Sequence, residues 1–180
     1  MRHAMTLSLL ISLGCLNGQQ VTQSRILLVA VTDPGNRFVT GLTEDQLEVV
    51  EGGIRRNITT FAGPDSPVAI AVVGAGPSAR DLAESSDEWI QSGSAEDALR
   101  QLASSARPRR ALILTGGATT PANVPPGILI LSVERDQLRK AVVEARNRYL
   151  IGFQSSNSGS AAQVNVKPPV GLPTLKAVSN

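Results

Sequence analysis

Val68-Ala69-Ile70-Ala71-Val72-Val73 is an unbroken apolar run, and it stops at Gly74-Ala75-Gly76-Pro77-Ser78-Ala79. Apolar residues without alternation mark a strand covered on both faces, as in a parallel sheet. Two further runs of this kind follow at residues 111–114 and 128–133, separated by a loop rich in Gly, Thr and Pro. Between them and the first run, Ala95, Ala98, Leu99, Leu102, Ala103 and Ala106 keep helical spacing. Ser94 caps that helix with Asp97 three residues on, and Pro108 closes it. Leu138, Ala141, Val142, Ala145 and Tyr149 form a second amphipathic stripe that leads into residues 150–153. Residues 81–91 admit a helix, though with poor periodicity. Strands alternating with helices predict an α/β fold.

In front lies a small β module. Residues 25–32 read as an aliphatic strand, and Asp33-Pro34-Gly35-Asn36 is strong turn chemistry. Thr43-Glu44-Asp45-Gln46 fits a capping box and predicts one helical turn. Residues 47–51 then extend, Gly52-Gly53 reverses the chain, and residues 54–61 return as the hairpin partner. Gly63-Pro64-Asp65-Ser66-Pro67 punctuates the boundary. Behind the second helix, residues 154–160 read as a polar loop, and 162–166 and 174–178 as closing strands. The expected division is a signal segment at 1–18, a β module at 19–66, an α/β domain at 67–153 and C-terminal strands at 154–180.

Composition narrows the chemistry. The chain has 180 residues, and its one His and one Cys are His3 and Cys15. Arg2, the apolar run at 7–16 and the polar residues from Asn17 onward have the order of a secretory signal, too short for a membrane span. Cleavage is expected after Gly18. The alternatives are lipid attachment at Cys15, within Ser12-Leu13-Gly14-Cys15, and a buried N-terminal strand or helix. With that segment removed, no His or Cys remains. Ser-His-Asp and Cys-His catalysis, thiolate or imidazole zinc sites and disulfides are then excluded. Without Arg2, 16 basic residues face 15 acidic ones. Neither nucleic acid nor an anionic membrane is indicated as a partner.

Gly74, Gly76 and Ala79 match the G-x-G-x-x-G/A fingerprint, whose glycines let the backbone approach a pyrophosphate at the next helix N-terminus. Three features oppose FAD or NAD. Residues 19–67 precede the motif, which normally opens its fold. No acid-ended strand is found roughly 20 residues later, where the motif needs one; Glu96 and Asp97 stand in a capped helical turn. Few residues remain for a substrate half. No cofactor is therefore expected, and dinucleotide binding through Gly74, Gly76 and Ala79 is the alternative.

In order, these segments resemble the von Willebrand factor A-related domain of secreted acidobacterial proteins. The resemblance is carried by Val31-Thr32-Asp33, Phe38-Val39-Thr40-Gly41-Leu42-Thr43-Glu44-Asp45, Leu47-Glu48-Val49, Glu51-Gly52-Gly53 and Ile58-Thr59-Thr60-Phe61. Arg148-Tyr149-Leu150-Ile151-Gly152-Phe153, Val164-Asn165-Val166-Lys167 and Gly171-Leu172 carry it toward the end; the middle is weaker. It implies a doubly wound sheet, here truncated, with a metal-dependent adhesion site at the C-terminal edge. Such a site needs hard oxygen ligands and carboxylate charge around Mg²⁺ or a relative. The matching positions are Gly74, Gly76 and Ser78 in the first loop, Ser94 in the second, and Gly116 of Thr115-Gly116-Gly117 where the family has Asp. Both carboxylates are missing, so no metal is expected.

Other residues have plainer readings. Ser94 is explained by its cap. Asp81, Glu84, Asp87 and Glu88 read as a solvated face. Arg107, Arg109 and Arg110 read as solubilising guards of a hydrophobic strand. Trp89 reads equally as a core anchor or an exposed contact. The Asn57-Ile58-Thr59 sequon has little meaning in a bacterial context. No pair of carboxylates suggests acid/base catalysis. The expected function is a non-enzymatic, secreted or envelope-attached module that binds an unidentified protein. Besides the dinucleotide alternative, the chain also reads as a structural remnant that oligomerises through faces left open by the truncation.

Overall fold

A computed structural model describes residues 22–156, 160–167 and 174–179. The signal segment at 1–18, Cys15 and Gly171-Leu172 lie outside the described residues. In chain order the strands are β1 Gln23–Thr32, β2 Leu47–Glu51, β3 Ile54–Arg56, β4 Ile58–Ala62, β5 Val68–Val73, β6 Glu88–Ser92, β7 Arg109–Leu114, β8 Ile128–Ser132, β9 Arg148–Ser155, β10 Ala162–Val166 and β11 Lys176–Ser179. Helix α1 spans Ala95–Ser104, and α2 spans Leu138–Arg146. The fold is mixed α/β, with one parallel sheet and two antiparallel ones. No helix of the described residues is long and apolar enough to cross a membrane.

The parallel sheet has the order β6-β5-β7-β8. Every residue of β5 is buried, because each of its faces carries a helix. Ala69, Ala71 and Val73 point with Leu112 and Leu114 toward Ala95, Ala98, Leu99 and Leu102 of α1. Ile70 and Val72 point with Ala111 and Ile113 toward Leu138, Ala141, Val142 and Ala145 of α2. Burying each large aliphatic side chain contributes about 1.5–3 kcal/mol. Ser94 caps α1 as expected, its Oγ accepting from the Asp97 N–H at 3.2 Å.

The expected helix at 81–91 is corrected. A 3-10 helix covers Pro77–Leu82, a turn follows, and β6 runs parallel to β5. The reason is period. Trp89 packs against the α2-side core and Ile90 against the α1-side core, the alternation of a strand. As an edge strand, β6 leaves Gln91 exposed, and that polarity hid its hydrophobic signal. Trp89 is thus a half-buried anchor of this sheet.

The antiparallel sheets have the orders β11-β1-β9-β4 and β10-β2-β3. Leu27, Val29, Val31, Tyr149, Ile151 and Phe153 of the first face Leu47 and Val49 of the second. Leu28, Ala62 and Leu150 point the other way, into the core beneath α2. Two expectations change here. β3 pairs with β2 only as far as Arg56, and β4 then crosses to β9, so residues 54–61 are split between two sheets. Tyr149 is not a helical residue either: α2 ends at Arg146, and Tyr149 lies fully buried in β9. Its hydroxyl accepts from the Leu42 N–H at 3.1 Å and donates to the Val39 carbonyl at 3.0 Å. Residues 148–155, expected within or next to the α/β domain, therefore pair with the front module.

Charged groups join the layers. Glu51, 1% exposed, accepts from Arg25 at 2.5 Å and from Ser155 at 2.7 Å, and pairs with Arg56 at 3.0 Å. Burial pulls its carboxyl upward, but the hydrogen bonds from Ser155 and Arg25 and the charge of Arg56 hold it below the usual range. Arg109, expected to guard a surface, is instead buried at the start of β7. Its guanidinium donates to the carbonyls of Pro64 at 2.7 Å and Arg146 at 2.5 Å, and also to those of Ser66 and Arg148. Burial lowers its pKa. The acidic run is a solvated face only in part, at the exposed Asp81 and Glu84. Asp87 is nearly buried against Arg146, which also reaches Glu84 at 2.8 Å, and Glu88 accepts from Ser105 at 2.6 Å.

Candidate functional site

From β5 the chain goes to β6 on one side, and from β7 it goes to β8 on the other. Connections that leave two adjacent parallel strands in opposite directions open a crevice at their C-terminal ends. Here that crevice measures about 450 Å³ and is lined by Ala75, Gly76, Ala79, Leu82, Thr115, Arg135, Asp136, Leu138 and Arg139.

The strand ends are tightly drawn together. The Thr115 N–H donates to the Val73 carbonyl at 2.9 Å, and the Val133 N–H to the Leu114 carbonyl at the same distance. Gly74 turns the chain with φ +80°, and a Cβ there would run into the Thr115 carbonyl, so only glycine permits this approach. Gly116, at φ +62°, has the Arg135 guanidinium against it: a Cβ would lie 3.0 Å from Arg135 Nε. A short 3-10 turn, Arg135–Gln137, leads directly into α2 and brings Arg135 back over the loop. Thr115 is 1% exposed, and its Oγ1 is buried without a hydrogen-bond partner.

The fold brings together only some of the residues singled out in the sequence. Gly76 and Ala79 line the crevice, and Gly74 and Gly116 shape its strand ends. The side chain of Ser78 lies outside the described residues. Ser94 stands at the start of α1, on the opposite face of the sheet, with its hydroxyl engaged as a cap. Arg135, Asp136 and Arg139 were missed by sequence reasoning. Nothing local distinguishes them from surface charges; only the return of the chain from β8 into α2 carries them to the crevice.

The metal that the family resemblance implies does not fit this donor set. The positions matching its two carboxylates hold Gly74 and Gly116, and a guanidinium lies over the second. Among the described residues no group of three His, Cys, Asp or Glu is placed to hold a metal ion. A strand does follow the glycine loop, since β6 precedes Glu96 and Asp97. It ends at Ser92 without an acid, and Asp97 pairs with Arg100. The loop opens into a 3-10 helix of six residues beginning at Pro77, which offers a pyrophosphate little of the aligned N–H array it needs. No protein-family model matches this chain, and no curated protein or solved structure matches it either.

Proposed function

We propose that this chain is a non-enzymatic interaction module, secreted or attached to the envelope, which binds a protein partner at the C-terminal edge of its parallel sheet. The observation that carries the reading is the crevice between β5 and β7, where Arg135 lies against Gly116. A doubly wound plan reduced from the von Willebrand A type is supported by the strand order β6-β5-β7-β8 and by a helix on each face. In that plan Gly74, Gly76, Ser78, Ser94 and Gly116 are vestiges of a lost adhesion site. Export rests on the apolar segment before Asn17. Mass spectrometry of the exported chain distinguishes a Gln19 N-terminus from a lipidated Cys15.

A second reading, FAD or NAD bound through Gly74, Gly76 and Ala79, is favoured by the position of that loop at the switch point with β6 following it. Thermal melts of the chain with Mg²⁺, Mn²⁺, FAD or NAD separate the two. A ligand at 100 times its dissociation constant stabilises by about 2.7 kcal/mol, a shift of roughly 5–10 °C at this size. Indifference to all four is expected. A shift with FAD or NAD overturns the interaction reading, and a shift with a divalent ion overturns the loss of the adhesion site. Light scattering tests the oligomeric remnant, which a monomer excludes.

A further inference from the structure

We propose that the crevice takes a carboxylate: an acidic side chain of the partner polypeptide, held by Arg135 and Arg139, with the partner's adjoining apolar side chain resting on Phe38 and Val143. This rests on the interaction reading above and names the chemistry of its ligand.

The arginines are used unevenly. Elsewhere guanidinium groups have a partner, a carboxylate as at Arg25, Arg37 and Arg146 or a carbonyl as at Arg109, although the Nε atoms of Arg56 and Arg110 are buried without one. Arg80, Arg135 and Arg139 are the arginines without a hydrogen-bond or ion-pair partner among the described residues. Two of these three line one crevice. Asp136 is beside them, yet among the described residues its carboxylate accepts only from Gln137, at 3.4 Å. Guanidinium groups match planar carboxylates with paired, charge-assisted hydrogen bonds.

Thr115 leaves a second polar group without a partner. A buried hydroxyl without a partner costs about 1–3 kcal/mol, and this one sits in the wall of the same crevice. Its Oγ1 has no accessible surface, so it can donate a hydrogen bond to a carboxylate oxygen only if the crevice wall shifts.

Charge then selects among anions. The lining carries Arg135 and Arg139 against Asp136, a balance that suits a monoanion better than a phosphate dianion. Beside it, a hollow of about 460 Å³ shares Asp136 and Arg139 and adds Phe38, Lys140, Val143 and Glu144. Val143 is 42% exposed, one of three large apolar side chains exposed among the described residues. An acidic residue next to an apolar one fits both hollows together.

The test is an NMR titration of the ¹⁵N-labelled chain with acetyl-Leu-Asp-Leu-amide, its Asn counterpart and its phosphoserine counterpart. With the Asp peptide, the amide signals of Thr115 and Gly116 and the Nε–Hε signals of Arg135 and Arg139 should shift. The Asn peptide should bind at least about tenfold more weakly, a difference of about 1.4 kcal/mol. Arg135→Ala and Arg139→Ala, both at exposed positions, should each weaken the Asp peptide about fivefold or more while leaving the β5 and β7 amide signals in place. Equal binding of Asp and Asn peptides overturns the carboxylate inference and leaves the interaction surface standing. So does tighter binding of the phosphoserine peptide, or no crevice response to any peptide. Crevice shifts with FAD or NAD overturn both readings at once.

Discussion

The parallel sheet and the antiparallel pair are assembled from different neighbours. β5, β6, β7 and β8 are consecutive in the chain, joined by single crossings. β1, in contrast, pairs with β9 and β11, so that Gln23 stands opposite Ser155 and Val29 opposite Ser179. The two regions also differ in what they bury. Within the parallel sheet the buried polar residues are Arg109 and Thr115, at opposite ends of β7, and the middle is aliphatic. The antiparallel pair buries Glu51, Arg148, Ser155 and the Tyr149 hydroxyl. A non-local strand pair can slip by one residue and turn its apolar face outward. Buried polar partners that fit in only one register guard against that slip. Helices cover the parallel sheet on both faces, so its edge loops are left to carry a site.

Core truncations in the two regions should produce the largest effects and test that comparison most directly. Phe153→Ala should cost about 3–5 kcal/mol and Ile70→Ala about 2–5 kcal/mol, measured by urea unfolding. Kinetics should separate them. Pairing across the length of the chain closes late, so Phe153→Ala should mainly speed unfolding, whereas Ile70→Ala should slow folding. The reverse pattern would break the comparison. Next in size is Arg109→Met, at the junction of the two regions. It leaves the carbonyls of Pro64, Ser66, Arg146 and Arg148 without their donor. A loss of about 2–3 kcal/mol in the same assay is expected; a loss below ~0.5 kcal/mol would mean that solvent serves those carbonyls as well.

The same contrast explains what could be read in advance. The runs around Val68, Ala111 and Ile128 were legible because burial on both faces removes polar residues from a strand. The Ser94 cap, the Thr43 capping box before the 3-10 turn Glu44–Gln46, and the Asp33 turn, in which the Asn36 N–H donates to the Asp33 carbonyl at 2.9 Å, were legible because their chemistry is local. β6 was not, since an edge strand interleaves Glu88 and Gln91 with Trp89 and Ile90. The true partner of β4 was not legible either, because Gly52-Gly53 dictates a reversal but says nothing about where the chain goes after Asn57. At the site, the glycines announced themselves and the arginines did not. Gly74 and Gly116 carry backbone requirements, whereas Arg135 and Arg139 acquire their meaning from the sheet order alone.

A subtler probe of the antiparallel region is acid. The Glu51 carboxyl is held below its ordinary value of 4.5 in the folded state. Its ionised form therefore stabilises the fold fully above the unfolded pKa, and that contribution fades as pH falls through the lower, folded value. Stability should thus drop across the acid side of pH 4.5, and Glu51→Gln should be less stable at pH 7 while losing part of that pH dependence. An unchanged acid slope in the variant would place the titration elsewhere and remove Glu51 from its register role.

The smallest effect on stability is expected at the crevice, from Gly116→Ala. An L-residue at φ +62° costs about 1 kcal/mol, and the loop is exposed enough to absorb the strain without disturbing β7. The new Cβ would come within 3.0 Å of Arg135 Nε and 3.1 Å of its neighbouring nitrogen, tighter than most such contacts, so the guanidinium must give by a few tenths of an ångström. If the crevice works through Arg135 at its present position, this substitution should weaken the response to the Asp peptide while the melting temperature falls by only a few degrees. If peptide binding is unchanged, the long arginine side chain finds the carboxylate from more than one rotamer, and the glycine is there for the turn alone. That outcome would sharpen the comparison further: the parallel sheet would then owe its edge geometry to backbone constraint, and its ligand chemistry to side chains that need no fixed seat.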